Sequence, residues 1–237
     1  MNFRTVILDL DGTILDGRFR HYACYSRILE EYGYAPVGLG SYRRMRRERA
    51  NRRQQLAASG AEAIYEDFLD AWLERIEHPD LLALDRLQPG ATEKLREWRA
   101  EGIRLVLATM RRYPGRLDEQ LTRLGLSDFF DHVVACEHRL GSSGKAQWVK
   151  NTVAGLHPEH CLWVGDTELD IEAARALGCP VWVVTEGERT ESHLALLSPD
   201  FLSPNLGSID LRRCRGYRPM VGARGDAGVP MRMERSA

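Results

Sequence analysis

The ten residues Val6-Ile7-Leu8-Asp9-Leu10-Asp11-Gly12-Thr13-Ile14-Leu15 constrain this chain more than any other stretch. A short apolar run ends in an acidic, glycine-containing turn. Val6 to Leu8 read as a strand buried on both faces, as at the centre of a parallel sheet. Asp9 and Asp11 alternate with Leu10, so an extended segment sends both carboxylates the same way. Two carboxylates at one strand tip repel and pay desolvation, and a divalent cation relieves both costs. Gly12 permits a sharp turn, and Thr13 caps or donates there. Read alone, the stretch is also compatible with a plain strand followed by an Asp-Gly turn.

From Gln88-Pro89-Gly90 onward the pattern alternates. Predicted helices cover 91–101, 115–124, 144–154, 168–177 and 189–197, and predicted strands cover 103–108, 132–135, 161–164 and 181–184. Gly102, Gly125, Gly155 and Gly178 follow the first four helices as stop signals. Short connections between alternating elements imply a parallel sheet with right-handed crossovers. The strand over 6–9 joins the same sheet, giving a Rossmann-like α/β core over residues 1–16 and 89–211. Residues 17–88 lack strand-like runs and read as an α-helical cap inserted after the first strand, with helices over 18–34, 41–58 and 61–77. Pro79 is expected to terminate the last of these.

Charge in the insert is segregated. Arg18 to Arg53 holds ten arginines and three acids, whereas Glu62 to Asp85 holds eight acids and one arginine. Three accounts are open: antiparallel helices that pair, an arginine face toward an anionic substrate, or a nucleic-acid surface over Arg43 to Arg53. No nucleic-acid motif accompanies that run, which argues against the third. Beyond residue 212 periodicity is lost, and 212–237 reads as a mobile, arginine-rich tail.

Composition narrows the classes further. A net charge of -1 offers no global field for nucleic acid or membrane surfaces. The five cysteines are odd in number and scattered, with no Cys-x-x-Cys pair, which suits a reducing cytoplasm. No charged leader precedes an apolar core at the N-terminus, and no apolar run reaches the roughly 20 residues of a membrane span. Only three of the 33 basic residues are lysine (Lys94, Lys145 and Lys150), so a lysine in this chain is a marked choice.

Ligands of open parallel sheets bind outside the carboxyl ends of the strands. The residues there are Asp9 and Asp11, Thr109, and Asp166 with Asp170, joined by Lys145 at the start of a helix. The set resembles the haloacid dehalogenase superfamily of phosphohydrolases. Asp9-Leu10-Asp11-Gly12-Thr13 looks like its first motif and Leu107-Ala108-Thr109 its second. Lys145 is placed like its third, and Gly165-Asp166-Thr167-Glu168-Leu169-Asp170 looks like its fourth. The position of the helical insert resembles the subfamily of phosphoglycolate phosphatase and β-phosphoglucomutase.

The resemblance implies a Mg²⁺-dependent phosphatase for a small phosphorylated metabolite, working through an aspartyl-phosphate. Asp9 is the implied nucleophile. Asp11 is the implied proton shuttle, and Thr109 and Lys145 bind and neutralise the phosphoryl group. The implied metal set is Asp9, Asp11 through its carbonyl, Asp166 and Asp170, the last orienting the shell. Gly12, Thr13, Met110 and Arg111 are candidate substrate contacts. Asp11 argues against dehalogenation, which dispenses with that acid, and the absence of lysine from 17–88 argues against a Schiff-base phosphonatase. A phosphomutase uses the same residues and stays open. A nucleic-acid module built on the arginine-rich helix or tail is the reading from another class. Met110, Arg111 and Ala146 depart from the nearest relatives' motifs, so the phosphoglycolate assignment does not transfer directly. Oligomeric state is not legible.

Overall fold

A computed structural model describes residues 3–136 and 141–214. Strand β1 (Thr5–Leu8) leads to a two-residue strand β2 (Leu15–Asp16), then to five helices: α1 (Arg18–Glu31), α2 (Leu39–Arg47), α3 (Arg52–Ala57), α4 (Tyr65–Arg75) and α5 (Pro79–Leu82). The chain returns through β3 (Arg86–Leu87). It continues as α6 (Ala91–Ala100), β4 (Arg104–Thr109), α7 (Pro114–Arg123), β5 (His132–Ala135), α8 (Gly141–Thr152) and β6 (Cys161–Gly165). Then come α9 (Glu168–Leu177), β7 (Val181–Val184), α10 (Glu191–Leu196) and β8 (Phe201–Ser203).

Six strands form one parallel sheet in the order β5-β4-β1-β6-β7-β8. β1 is central because it is apolar on both faces. Val6 and Leu8 pack with Leu95, Trp98 and Leu121 of α6 and α7. Ile7 packs on the other side with Val149, Ile171 and Ala174 of α8 and α9. The fold is the expected α/β layer architecture with helices on both faces. From β1 the chain first moves to β4 and β5, then crosses to β6 on the other side of β1. The carboxyl end of β1 is therefore the switch point where a crevice opens.

The insert has its own apolar cluster. Tyr25 and Phe68 are fully buried, and the Tyr25 and Tyr42 rings stack with centroids 4.5 Å apart. The ribbon β2–β3, with Leu15 opposite Leu87, closes the two crossings between core and insert.

Several expectations need correction. The single helix predicted over 41–58 is two helices, because Arg49 adopts a left-handed φ of 63°. Asn51 then starts α3 with a capping box, its Oδ1 accepting from Gln54 N at 2.9 Å and its N–H donating to Gln54 Oε1 at 2.8 Å. The Asn-x-x-Gln signature of that box is visible in the sequence. Pro79 opens α5 from its first helical position, where its missing N–H costs nothing. The ribbon and β8 are too short to register as periodic runs. The first residues of the predicted tail, 212–214, complete a 3₁₀ turn over Leu211–Cys214 with Cys214 buried, and 215–237 lie outside the described residues.

The segregated charge is used in more than one way, and only part of it pairs within the insert, as in Arg20 with Asp85. Arg53 does reach Glu66 within the insert, but that pair is exposed. Arg46 and Arg47 of α2, and Arg49 just after it, face the core. Arg46 Nε donates to Glu188 at 2.7 Å, Arg47 Nη2 to the Thr185 carbonyl at 2.8 Å, and Arg49 pairs with Glu168. The basic helix is a seam between cap and core.

Two predictions follow from this packing. Ile7→Ala at the sheet centre is expected to cost about 2–5 kcal/mol in urea unfolding, whereas Val133→Ala on the edge strand, 37% exposed, costs about 0.5 kcal/mol. The second concerns His21, which stacks on Trp72 and meets Arg46 Nη1 through Nδ1 at 2.9 Å. Burial, with Arg46, Arg20, Arg52 and Arg111 nearby, holds its pKa well below the usual 6.5. The folded state thus keeps His21 neutral where the unfolded chain takes a proton. Its contribution is complete above pH 6.5 and falls as pH drops below that value, by at most about 1.4 kcal/mol per pH unit. Other titrating groups cancel in the difference between wild type and His21→Gln. That difference, measured by urea unfolding from pH 7.5 to 5, is expected to fall with pH.

Candidate active site

The sheet brings the strand-end residues together. Asp9 follows β1, with its N–H on the Val164 carbonyl at 2.9 Å. Thr109 ends the neighbouring β4, and Asp166 follows β6 on the other side. Lys145, in the first turn of α8, is almost fully buried, and its Nζ donates to Asp9 Oδ1 at 2.6 Å and to Asp170 Oδ1 at 2.9 Å. Asp170 is held from every side. Trp163 Nε1 donates to the same oxygen at 3.2 Å, and the N–H groups of Asp166 and Thr167 and the Thr167 hydroxyl donate to Oδ2.

Carboxylate oxygens of Asp9, Asp166 and Asp170 lie within 4.8 Å of one another. Burial raises the Asp9 pKa to about 7, with Lys145 opposing and Asp170 and Asp11 adding to the rise. Burial, and then Asp9 and Asp170, push the Asp166 carboxyl well above the usual carboxylate range. Burial would do the same to Asp170, but Lys145 outweighs it and holds that carboxyl low. Lys145 stays charged because Asp170 and Asp9 overcome its own desolvation. One buried cation thus faces three buried acids, and the excess negative charge falls on Asp9 and Asp166.

The backbone is built closely around these acids. Gly12 has φ +88°, and a Cβ there would lie 2.0 Å from Asp166 Oδ2. A Cβ on Gly187 would lie 2.4 Å from the same oxygen. The Glu188 N–H donates to that oxygen at 2.7 Å, and the Thr13 hydroxyl to Oδ1 at 3.3 Å. Gly12 and Thr13, expected at the substrate, instead shape the floor beneath Asp166. Thr13 is fully buried and spends its hydroxyl on that acid.

Asp11 sits in a second charge network. Arg111 clamps it with two bonds of 2.8 Å, Nε to Oδ2 and Nη2 to Oδ1, and Arg20 of α1 adds Nη2 to Oδ1 at 2.5 Å. Asp85 accepts from Arg20 Nε at 2.8 Å, from Gln120 Nε2 at 2.8 Å and from Arg111 at 3.4 Å. Burial would raise the Asp11 pKa, but Arg111 and Arg20 outweigh it and hold the carboxyl below its usual range. Arg111, expected to touch a substrate anion or to be solvated, is 4% exposed and grips Asp11. Arg20, Asp85 and Gln120 were not anticipated. The only sequence signal of Arg20 and Asp85 is charge at the two ends of the insert, and the neutral amide Gln120 on α7 gives none.

A cavity of about 480 Å³ lies between cap and core. Asp9, Asp11, Thr109, Met110, Arg111 and Lys145 line its core side, and Arg20, His21, Arg52, Trp72 and Leu73 its cap side. A larger space of about 690 Å³, bounded by Arg4, Trp98 and Ile103, lies at the amino ends of β1 and β4, away from these acids.

Comparison with known proteins agrees with this architecture. A family model described as a haloacid dehalogenase-like hydrolase matches residues 3–197. A phosphoglycolate phosphatase of Rhodobacter capsulatus is 28% identical over 193 residues, covering 78% of this chain and 85% of the relative. A phosphoglycolate phosphatase of Synechococcus elongatus is 28% identical over 209 residues, covering 84% and 92%. Among solved structures, a haloacid dehalogenase-like hydrolase from Streptococcus pneumoniae superposes with a TM-score of 0.72 at 17% identity, covering 91% of this chain and 99% of that one. A predicted phosphoglycolate phosphatase from Haemophilus somnus gives 0.70 at 20% identity, covering 87% and 96%. With the match of the family model over most of its length, and the four strand-end groups meeting at the switch point of its sheet, this chain belongs to the haloacid dehalogenase-like hydrolases.

Proposed function

We propose that the protein is a Mg²⁺-dependent phosphatase that hydrolyses a small phosphate monoester through an aspartyl-phosphate on Asp9. The observation that carries this reading is the pair of bonds from Lys145 to Asp9 and Asp170 beside the acid Asp166. A carboxylate nucleophile needs a fixed direction of attack and relief from repulsion by the phosphate, and this arrangement supports both.

The donor set suits a hard divalent cation. Asp9 and Asp166 are crowded acids whose charge is not balanced by Lys145, and they supply oxygen ligands, as Mg²⁺ requires. With the Asp11 carbonyl they are the residues that would hold it. Asp170 spends its oxygens on Lys145, Trp163, Asp166 and Thr167, so its part is to position that cluster. When bound, Mg²⁺ offsets the repulsion between nucleophile and phosphate and orients the phosphoryl oxygens.

Lys145 takes Oδ1 of Asp9, and Oδ2 is the attacking oxygen. Asp11, ionised in the free protein, takes up a proton from solvent as the dianionic ester binds beside it; as the Oδ2–P bond forms, the ester P–O bond breaks and Asp11 gives that proton to the leaving oxygen. Water then attacks phosphorus, Asp11 takes its proton, and inorganic phosphate and free Asp9 result. The Thr109 hydroxyl and the Met110 N–H bind phosphoryl oxygens. Arg111 and Arg20 hold Asp11 in its ionised form and orient it between these two transfers.

Relatives named phosphoglycolate phosphatase make phosphoglycolate the first ester to assay. With Mg²⁺ and p-nitrophenyl phosphate or a panel of phosphorylated metabolites, phosphate release is expected. Asp9→Asn should lower kcat by at least about 10³-fold, and EDTA should abolish turnover until Mg²⁺ is restored. Activity that survives Asp9→Asn, or that ignores EDTA, overturns the mechanism. Transfer between sugar phosphates without net phosphate release would mark a phosphomutase instead.

A further inference from the structure

The cations around the cavity are matched by acids with few exceptions. Lys145 is shared by Asp9 and Asp170, Arg20 and Arg111 are shared by Asp11 and Asp85, and Arg46 is held by Glu188. Arg112 lacks a carboxylate partner but is exposed, so water solvates it. Arg52, the first residue of α3, differs from all of these. It lines the cavity and is half-buried, and no carboxylate among the described residues is within ion-pairing distance of it.

Its guanidinium lies over Trp72, with the central carbon 3.7 Å from the ring centroid. Only Nη1 is engaged, donating to Gln55 Oε1 at 2.8 Å and Tyr42 Oη at 3.3 Å. Nε and Nη2 remain, and together they form the edge that meets a carboxylate or phosphate in two parallel bonds. The ring below and Gln55 beside it hold that edge in place before any ligand arrives, so little rotamer entropy is lost on binding. Burial lowers the Arg52 pKa, with Tyr42 opposing and Arg46 adding to the fall.

His21 supplies a second donor near the same ring. A guanidinium can only donate, so His21 Nδ1 accepts from Arg46 and the ring proton sits on Nε2. Along α4, Leu69, Trp72, Leu73 and Ile76 give the cavity an apolar wall.

We propose that Arg52 anchors a second anionic group of the substrate, so that the leaving group is an acid with an apolar body rather than a neutral alcohol. The proposal rests on the phosphatase reading above. A partly desolvated cation without a partner is costly, and an anionic ligand removes that cost. A two-carbon acid is short for a cavity of about 480 Å³, a volume in the range of pockets that enclose drug-sized molecules. The ester that suits it presents its phosphate to Asp9, an aliphatic or aromatic body to Trp72, and a carboxylate or second phosphate to Arg52.

Three aryl esters that differ only in the para group test this: phenyl phosphate, 4-carboxyphenyl phosphate and hydroquinone bisphosphate. In the wild type, one or both charged esters should exceed phenyl phosphate in kcat/KM by about tenfold to a hundredfold, and the better of the two identifies the anion. Arg52→Gln should bring that preference down to about twofold, and Arg52→Lys should restore part of it. Comparing the ratios between wild type and variant cancels the intrinsic reactivity of each leaving group. Equal preference in wild type and Arg52→Gln, or equal loss on all three esters, overturns the proposal. Binding separates this failure from failure of the phosphatase reading. Terephthalate should raise the Tm of the wild type and not of Arg52→Gln, even if no ester is hydrolysed. A terephthalate shift that is the same in both proteins overturns the proposal whatever the activity.

Discussion

Three buried carboxylates within 4.8 Å of one another are an expensive thing for a small protein to hold, and much of the core is arranged around that cost. Isolated ionised groups in a protein interior lose several kcal/mol of hydration each. Asp170 recovers its loss through Lys145, an indole N–H, two backbone N–H groups and a hydroxyl. Asp166 has a backbone N–H and one hydroxyl, and Asp9 has Lys145. The acids are therefore graded: one is satisfied by the protein, and two have raised pKa values because the protein only partly compensates their charge. The parallel sheet makes this possible, since adjacent strand ends deliver Asp9 and Asp166 side by side without any helix or loop having to reach across.

The second network has a different purpose in the architecture. Asp11 comes from the turn after β1, Arg111 from the end of β4, Arg20 from the first turn of α1, and Asp85 from the return into β3. Two arginines and two acids thus tie the core to both ends of the insert. Buried ion networks are weak contributors to net stability, but breaking one partner typically costs about 3–5 kcal/mol because the others are left uncompensated. Such a network sets geometry more than strength. It fixes the angle of α1 over the core and hence the position of the cap wall that carries Trp72. The α2 arginines on Glu188 and Thr185 hold the opposite side, so the cavity is bounded by charged contacts at both margins.

How much of this was legible depends on the distance in sequence over which a feature is built. Asp9 and Asp11 are two residues apart just past the end of β1, and Asp166 and Asp170 lie four apart across one strand-to-helix turn. Local geometry alone puts each pair together, and the alternation of elements puts the pairs at one sheet edge. Lys145 stood out because arginine is the default cation here. By contrast, Arg20 and Asp85 are separated by the whole insert, and nothing in either neighbourhood signals that they meet. The break at Arg49 has no glycine or proline to announce it, although the Asn51 capping box marks a new helix start. β8 and the β2–β3 ribbon have two or three residues each, fewer than a period-2 pattern needs. Thr13 was assigned to the substrate by position, yet the tightness of the Gly12 turn aims its hydroxyl inward at Asp166.

This contrast separates the two halves of the site by the kind of physics that builds them. The core half is dictated by backbone: strand ends, a left-handed glycine and a helix start place the acids, and main-chain N–H groups hold Asp166 and Asp170. Chemistry placed that way survives large changes in surrounding sequence. The cap half is made by side chains from separate helices, with Arg52 on α3, Trp72 on α4 and His21 on α1 meeting over one ring. No backbone rule enforces that meeting. It depends on Tyr25, Tyr42 and Phe68 filling the cap interior so that the three helices pack at one angle. Arginine suits position 52 in particular, because a flat guanidinium can stack on the indole and still offer a free edge, which the point charge of lysine cannot do. The arginine bias of the chain thus conceals, among many other copies, one that lines the cavity with its face covered and its edge open.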